Sequence, residues 1–495
     1  MALDNLQSDP KVNFKDKYEA ELSDWIQLEK AAIALIHLTG SLFFDKSVEL
    51  VLFRNQLVDR SASEILHLHN YAKQIVKKPI NVMDTLMLAK EMLKLKLAPS
   101  RIDVGRLNAE WIAERKNYKT AEDFVIDKLK DFIGEEKRVM IPRDVVLYGF
   151  GRIGRLLMRE LISQAGKGEQ LRLRAIVTRN NSDSDITKRA DLLRNDSVHG
   201  AFPGTVIEDF ENKALIVNGH TVHMIAANDP AKIDYNAFGI HDALIIDNTG
   251  IVRDREGLSQ HLKSKGASKV LLTAPGKGDV PNVVYGVNEG AFDHKKETVF
   301  SAASCTTNAI VPVLAVIEGS LGIERGHIET IHSYTNDQNL LDNYHAKYRR
   351  GRSAALNMVI TETGADKAVA KVLPPLAGKL TGNAVRVPTP DVSLAILNLT
   401  VKKETSKDAV NEILRNAALH GKLVEQIQYS VSNELVSTDL VGNSCASIVD
   451  SPATIVSKDN KSMVLYVWYD NEYGYSRQVV RYAKYLADVI RLIYY

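Results

Sequence analysis

A glycine-rich turn between a strand and a helix constrains the fold of this chain more than any other feature. Gly149, Gly151 and Gly154 follow a strand-like run at 144–149 and open a helix-like run at 152–164. The first glycine allows a tight turn, the second lets the backbone approach a pyrophosphate, and the third lets helix and strand pack closely. The helix N-terminus then binds the phosphates. In this context the spacing predicts a dinucleotide-binding unit.

Strands and helices alternate on both sides of this turn. Further strand-like runs lie at 170–178, 242–247 and 269–273. This alternation predicts a mainly parallel sheet with helices on both faces, which is a Rossmann-type α/β domain. After residue 308 come a helix and strands at 328–332, 385–387, 392–401 and 463–469. They predict a second, α+β domain with a mostly antiparallel sheet, and residues 477–495 predict a final helix.

The residues before the first sheet strand have a helical pattern. Their apolar positions recur at helical spacing, at Trp25, Ile26, Leu28, Ala32, Leu35, Ile36, Val48, Val51, Leu52, Ile65, Leu68, Ala72 and Ile75. Ser61 with Glu64 forms a capping-box pattern, and Pro79 and Pro99 separate the helices. We therefore predict an all-α N-terminal segment at 1–137. The dinucleotide-binding domain follows at 138–304, completed by 471–495, and the catalytic domain covers 305–470.

Composition excludes several classes of protein. A net charge of +2 in 495 residues predicts neither nucleic-acid binding nor a membrane surface. Two cysteines predict a reducing compartment, and no metal-ligand pattern stands out. Residues 1–9 lack the basic and apolar parts of a signal peptide, and the apolar runs are shorter than the roughly 18 residues of a spanning helix. We therefore expect a cytoplasmic enzyme.

Cys305 is the candidate nucleophile. It follows a strand-like run at 298–301 and precedes a helix-like run at 309–317, and Thr306 or Thr307 is a suitable helix cap. A helix N-terminus favours the thiolate over the thiol, and a thiolate attacks carbonyl carbon. The other cysteine, Cys445, is interpreted as structural.

Seven motifs in order resemble the phosphorylating glyceraldehyde-3-phosphate dehydrogenase family. They are GFGRIGR at 149–155, DSVHG at 196–200, SCTTN at 304–308, HSYT at 332–335, GKLTG at 378–382, RVPTP at 386–390 and WYDNEYGY at 468–475. The resemblance extends from about residue 139 to 490, and the helical N-terminal segment lies outside the usual family boundaries.

The resemblance implies a reaction and assigns roles. Glyceraldehyde 3-phosphate would be oxidised to 1,3-bisphosphoglycerate through a thioester on Cys305, with His332 as general base and hydride transfer to NAD or NADP. Arg386 and Thr335 match residues that bind the substrate phosphate. Residues that match the site of inorganic phosphate are Ser304, Thr306, Thr363 and Gly364. Residues that match the cofactor site are Gly149, Phe150, Gly151, Arg152, Ile153, Gly154 and Asn471, of which Asn471 orients the nicotinamide amide. A homotetramer is also implied.

The strand-like run at 170–178, the second of the predicted parallel sheet, departs from the family pattern at its end. Family members carry an acidic residue at its end, where it binds the adenosine ribose and favours NAD, and that position aligns with Thr178 here. Loss of the carboxylate removes repulsion against a 2′-phosphate, and Arg179 is available to pair with one. We therefore expect NADP to be accepted. The alternative is that Arg179 points to solvent or that Asp183 or Asp185 supplies a displaced carboxylate, so that NAD remains the partner.

Two alternative functions stay open. Erythrose-4-phosphate dehydrogenase shares the fold and the Cys/His pair, but its reaction ends in hydrolysis. A non-catalytic scaffold or regulatory protein, acting through the helical segment, belongs to a different class. The intact set of Cys305, His332 and Arg386 argues against it. The segment 1–137 could change assembly, cover the active site or bind a partner, and the sequence does not choose among these.

Overall fold

The computed structural model of the protein describes residues 14–495. Residues 1–9, which we expect not to be a signal peptide, lie outside the described residues. The α-helices are α1 Phe14–Lys46, α2 Ala62–Tyr71, α3 Val82–Lys94, α4 Val104–Glu114, α5 Ala121–Lys128, α6 Arg152–Ser163, α7 Asp183–Arg194, α8 Arg255–Leu258, α9 Cys305–Leu321, α10 Ala365–Val372, α11 Lys407–Leu419 and α12 Tyr473–Leu486.

The strands fall into four sheets. They are β1 Val48–Leu52, β2 Asn55–Gln56, β3 Ser100–Asp103, β4 Arg143–Tyr148, β5 Leu171–Thr178, β6 Asn195–Asp196, β7 Gly200–Ala201, β8 Val206–Asp209, β9 Ala214–Val217, β10 His220–Ala226, β11 Ala243–Asp247, β12 Ala267–Leu272, β13 Val299–Ser301, β14 Ile323–Ser333, β15 Val359–Thr361, β16 Leu380–Val387, β17 Ser393–Val401, β18 Ile427–Ser430, β19 Ser447–Asp450, β20 Ile455–Val456, β21 Ser462–Tyr469 and β22 Leu492–Tyr494.

The chain divides into two compact units, one of residues up to 139 with 491–495 and one of residues 140–490. The first unit is mainly helical, with α1 packed against α2 and α3. The predicted all-α character is corrected by a small sheet of order β2-β1-β3-β22. Every residue of β1 is buried, Glu49 included, and a short run that is buried on both faces lacks the alternation that distinguishes a strand from a helix.

The C-terminus also differs from the prediction. The last helix, α12, ends at Leu486, because Asp488 adopts the left-handed conformation (φ 57°) that terminates a helix. The strand β22 then pairs in parallel with β3. Residues 491–495 therefore belong to the N-terminal unit and do not complete the dinucleotide-binding domain.

The second unit contains the sheets of both predicted domains, the α/β domain and the α+β domain. Its first sheet has the order β13-β12-β11-β4-β5-β10-β9-β8, and every pair from β13 to β10 is parallel. Apolar cores lie on both faces, one of them including residues of α6, α7 and α12. The predicted mainly parallel sheet is confirmed.

The second large sheet has the order β15-β16-β14-β17-β21-β19-β18. Its pairs are antiparallel except β14 with β16 and β18 with β19. The helices α9, α10 and α11 bury one face of it in a continuous apolar core. The predicted α+β domain with a mostly antiparallel sheet is confirmed. Among the described residues no helix is both long and apolar enough to cross a membrane.

Candidate active site

Cys305 is the first residue of α9. Ser304 caps this helix, since its Oγ accepts a hydrogen bond from the Thr307 backbone N–H at 3.0 Å. The residue before the cap, Ala303, has a left-handed backbone (φ 57°), which turns the chain sharply between β13 and α9. The predicted position of Cys305 at a helix N-terminus is confirmed.

His332 lies next to Cys305 at the end of β14. Its Nε2 is 3.6 Å from the Cys305 Sγ. Its Nδ1 lies 2.7 Å from the Ser333 carbonyl oxygen and 2.9 Å from Nη1 of Arg386. The carbonyl oxygen only accepts and favours a proton on Nδ1, whereas Nη1 of Arg386 only donates. Because Nη1 is also placed to donate to the Ser333 carbonyl and to Thr335 Oγ1, we assign the tautomer with the proton on Nδ1. That tautomer leaves a lone pair on Nε2, directed at the thiol.

Burial keeps both groups neutral in the protein without ligands. It raises the pKa of the Cys305 thiol above its usual range, although the Arg386 guanidinium and hydrogen bonds from Thr306 oppose the shift. Burial, with help from the same guanidinium, lowers the pKa of His332 to about 3. The expectation of a thiolate at rest is therefore corrected, because desolvation outweighs the helix N-terminus.

Arg386 connects this pair to a candidate anion site. It stands opposite His332 in the β14–β16 register, and its Nη1 donates to Ser333 O at 2.8 Å and to Thr335 Oγ1 at 3.3 Å. Sequence reasoning named Arg386 and Thr335. It did not assign a role to Asp337 or Arg350, which pair with each other while Asp337 also accepts from Thr335. The sequence signal for this role would have been the succession of a hydroxyl, a carboxylate and a guanidinium at Thr335, Asp337 and Arg350.

The residues matched to inorganic phosphate are only partly brought together. Ser304 and Thr306 flank Cys305, and the Thr306 hydroxyl is 3.0 Å from the Tyr469 hydroxyl. Gly364 caps α10, with Thr363 beside it, and α10 packs against α9. Among the described residues no hydrogen bond joins Thr363 or Gly364 to Cys305 or Arg386. Tyr469 was missed because a tyrosine in a buried strand has an ordinary packing role.

The glycine loop has the geometry that a pyrophosphate requires. Gly149 has φ 99°, and a Cβ on Gly154 would lie 2.7 Å from the Gly149 carbonyl oxygen. A Cβ on Gly151, the N-cap of α6, would meet no atom within 4 Å, so this glycine faces open space. The loop is anchored by Phe150 and Ile153, which pack in the core of the first sheet. These features fit a bound dinucleotide.

The side chain of Arg152 makes ion pairs within the protein. Its guanidinium binds Asp196 at 3.0 and 3.1 Å and also pairs with Glu472. It therefore ties the glycine loop to the turn that carries Asn471. The Oδ1 of Asn471 accepts a hydrogen bond from Ser393 at 2.6 Å, which leaves its amide N–H groups to donate.

The end of β5 carries no carboxylate. Thr178 is buried, and its hydroxyl donates to Asn180 O at 2.7 Å, whereas Arg179 is exposed. The two candidate displaced carboxylates are engaged elsewhere. Asp183 pairs with Lys213 at 2.7 Å, and Asp185 accepts from Ser182 at the start of α7.

A buried acidic cluster lies beside Asn471. His199, Asp391 and Asp470 bring ligand-type atoms within 4.8 Å of one another, and His199 Nε2 is 3.1 Å from Glu472. The oxygens of Asp470 accept backbone N–H bonds from Gly442, Glu472 and Tyr473. Burial and the neighbouring Asp470 and Glu472 raise the pKa of Asp391 far above its usual range. The raised pKa favours a proton on Asp391 at neutral pH, which would reduce the repulsion within the cluster.

Comparisons with known proteins agree with this geometry. The description "Glyceraldehyde 3-phosphate dehydrogenase, NAD binding domain" matches residues 143–255, and "Glyceraldehyde 3-phosphate dehydrogenase, C-terminal domain" matches residues 304–471. A glyceraldehyde-3-phosphate dehydrogenase-like protein of Pseudomonas aeruginosa is 51% identical over 461 residues, which are 92% of this chain and 98% of the relative.

Shorter relatives match about two thirds of this chain. The glyceraldehyde-3-phosphate dehydrogenase of Priestia megaterium is 42% identical over 68% of this chain and 96% of its own length. Glyceraldehyde-3-phosphate dehydrogenase 1 of Bacillus subtilis is 41% identical over 69% of this chain and 98% of its own length. This chain belongs to the glyceraldehyde-3-phosphate dehydrogenase family of oxidoreductases.

Proposed function

We propose that the protein oxidises D-glyceraldehyde 3-phosphate to a thioester on Cys305 and transfers the acyl group to inorganic phosphate, which gives 1,3-bisphosphoglycerate. The observation that carries this proposal is the 3.6 Å approach of Cys305 Sγ to His332 Nε2, with Arg386 bound to Thr335 on the other side of the imidazole. A nucleophile, a base and an anion-binding cation thus converge on one point, which is the arrangement that phosphorylating aldehyde oxidation needs.

The first step is attack on the aldehyde. The Cys305 proton moves to His332 Nε2 as the S–C bond forms, and His332 then gives that proton to the carbonyl oxygen, which yields a thiohemiacetal and a neutral imidazole. His332 then accepts the hydroxyl proton as the carbon loses hydride and becomes a thioester. A phosphate oxygen attacks the thioester carbon, the C–S bond breaks, and the sulfur leaves as thiolate. The imidazolium beside it stabilises that leaving group.

The phosphate of the substrate and the inorganic phosphate need different binding sites. Arg386 suits the phosphate of the substrate, because a guanidinium anchors an anion by charge and by directed N–H groups. The hydroxyls of Ser304 and Thr306, with the N-terminus of α10 at Thr363 and Gly364, suit the phosphate that binds, attacks and leaves. The Asp337–Arg350 pair holds the Thr335 hydroxyl in place through the hydrogen bond to Asp337. This hydroxyl would face the phosphate of the substrate.

The coenzyme site is formed by the glycine loop, the N-terminus of α6 and Asn471. When bound, a nicotinamide dinucleotide supplies the hydride acceptor. We propose that the enzyme accepts NADP as well as NAD, because the end of β5 offers the exposed Arg179 and no carboxylate. The test compares kcat/KM for both coenzymes. Thr178→Asp should reduce the NADP value at least tenfold while sparing NAD, and a hundredfold preference of the wild type for NAD would reject the idea.

The reaction itself is tested by NAD(P)H absorbance with substrate, coenzyme and phosphate. Turnover should require phosphate, whereas an erythrose-4-phosphate dehydrogenase would turn over erythrose 4-phosphate without it. Cys305→Ser should remove the activity and Cys445→Ser should retain it. Activity that survives Cys305→Ser would exclude the mechanism.

We also propose a homotetramer in a reducing compartment such as the cytoplasm. Support for assembly comes from the face of the second sheet away from α9, where half-buried apolar side chains lie in register on neighbouring strands at Ile331, Leu394, Ile396 and Tyr466. A second copy would cover that face. Support for the compartment is that both cysteines are free. Mass photometry of the full chain tests the first point and cell fractionation the second.

A further inference from the structure

The helix α1 carries an apolar stripe that nothing in its own unit covers. Leu22, Ile26, Ile33 and Phe44 are spaced by 4, 7 and 11 residues, so they lie on one side of the helix. Their exposed fractions are 40, 41, 57 and 54%. Trp25 flanks the stripe and is 45% exposed. Heptad-like spacing of this kind is typical of a helix that packs along another helix.

The exposed stripe is separate from the face that anchors α1. Ala31, Ala32, Leu35, Leu42 and Phe43 are buried and hold the C-terminal half of the helix in the N-terminal unit. In contrast, residues 17–27 are exposed at every position. A helical stretch of that length is marginal in water without tertiary packing. The first half of α1 therefore needs a partner.

We propose that this partner is the α1 helix of a second copy of the chain, packed antiparallel with the two-fold axis beside Trp25. The charges of the helix favour this arrangement. The exposed Glu19 and Lys30 lie on the same flank of the stripe and at similar distances on either side of Trp25. An antiparallel pair brings Glu19 of each copy against Lys30 of the other, which gives two symmetric ion pairs around an apolar centre. A parallel pair would instead set this flank of one helix against the opposite flank of the other, so Glu19 and Lys30 would not meet.

The proposal concerns the N-terminal unit alone and does not depend on catalysis. The relatives from Priestia and Bacillus are matched over 96 and 98% of their own length but over only 68 and 69% of this chain. They are therefore too short to include a unit of this size in addition to the unit 140–490. The Pseudomonas relative is matched over 461 residues, more than the 351 residues of the unit 140–490, so it includes much of the extension. The α1 pairing would thus add a subunit contact that the shorter relatives lack.

Cysteine cross-linking of the full chain tests the geometry. In a Cys305→Ser, Cys445→Ser background, Trp25→Cys introduces the sole thiol of the chain beside the proposed axis. Mild oxidation should convert most of this variant to a covalent dimer. The matched control is Gln27→Cys, on the opposite side of the helix, which should remain monomeric on a non-reducing gel. Failure of the first variant to cross-link faster than the control would overturn the proposal.

A charge exchange separates self-pairing from another protein partner. Added to the Trp25→Cys variant, Lys30→Glu places two glutamates together at each end and should slow cross-linking about three- to tenfold. Adding Glu19→Lys restores opposite charges and should recover the original rate. Cross-linking that is unchanged by the single variant, or not recovered in the double variant, would reject the antiparallel register.

Discussion

At the scale of single residues, the neutral Cys305–His332 pair is the main functional feature. Arg386 lowers the pKa of both groups, so it assists ionisation of the thiol and opposes protonation of the imidazole. We expect His332→Asn to lower kcat by about 10²- to 10⁴-fold, the usual contribution of a general base. The pH profile of Cys305 alkylation by iodoacetamide should also move upward, because no base remains to take the proton.

The control for this experiment is the second cysteine, Cys445, which is interpreted as structural. Its alkylation in the same samples, read by mass spectrometry, should follow the same pH profile in the wild type and in His332→Asn. An unchanged profile at Cys305 would mean that the two side chains do not share a proton, whatever their distance.

Asp391 gives a second prediction at this scale, on pH and stability. Its carboxyl has a pKa of about 9 in the folded protein and about 4 in an unfolded chain. The folded state therefore holds a proton that the unfolded state has lost, and stability falls as pH rises from about 4 to 9. Asp391→Asn keeps the shape without this cost. It should be more stable than the wild type by about 1–3 kcal/mol at pH 8.5 and nearly equal at pH 5.

Urea unfolding of both proteins at the two pH values provides the measurement. Ser462→Ala, which removes a hydroxyl bonded to the exposed Asp459, is a suitable control with no expected pH-dependent difference. Parallel stability curves for wild type and Asp391→Asn would show that this carboxyl is ionised in the native protein.

At the scale of elements, two glycines of the loop between β4 and α6 have different roles, one in packing and one in coenzyme binding. A methyl group on Gly154 would contact the Gly149 carbonyl at 2.7 Å, whereas one on Gly151 would meet no protein atom. We expect Gly154→Ala to destabilise the protein by about 1–3 kcal/mol through overpacking. Gly151→Ala should leave stability unchanged and weaken coenzyme binding at least about tenfold. Thermal unfolding with and without NAD or NADP distinguishes the two, and equal stability losses would contradict the assignment.

The same elements show what sequence could predict. The strand–turn–helix at Gly149 and the cap at Ser304 are local features, because each depends on backbone groups within a few residues. The glycine turn was predicted with its position, and so was the helix start at Cys305. The cap is Ser304, however, and not Thr306 or Thr307 as predicted. The strand β1 was taken for a helix because its fully buried residues offer no alternation. Asp337, Arg350 and Tyr469 were missed as site residues, since their importance comes from partners on other strands. The resting charge of Cys305 was wrong because burial is not visible in a sequence.

At the scale of the whole molecule, the last strand of the chain belongs to the N-terminal unit. The strand β22 pairs with β3, the Arg491 guanidinium lies 3.4 Å from Glu49, and the Tyr494 hydroxyl donates to Glu110 at 2.6 Å. Glu49 is buried, so loss of Arg491 would leave its charge without that partner. We expect deletion of residues 491–495 to destabilise the N-terminal unit by about 3–5 kcal/mol, while the unit 140–490 keeps its fold.

Hydrogen exchange of the full-length and shortened proteins measures each unit separately. Faster exchange should be confined to β1 and β3, with β4, β5 and β14 unchanged. Tyr494→Phe keeps the ring and loses only the bond to Glu110, so it should give a smaller effect of about 1 kcal/mol. If the deletion accelerated exchange in the first large sheet and left β1 protected, the last strand would belong to the dinucleotide-binding domain, as the helical pattern of the sequence suggested.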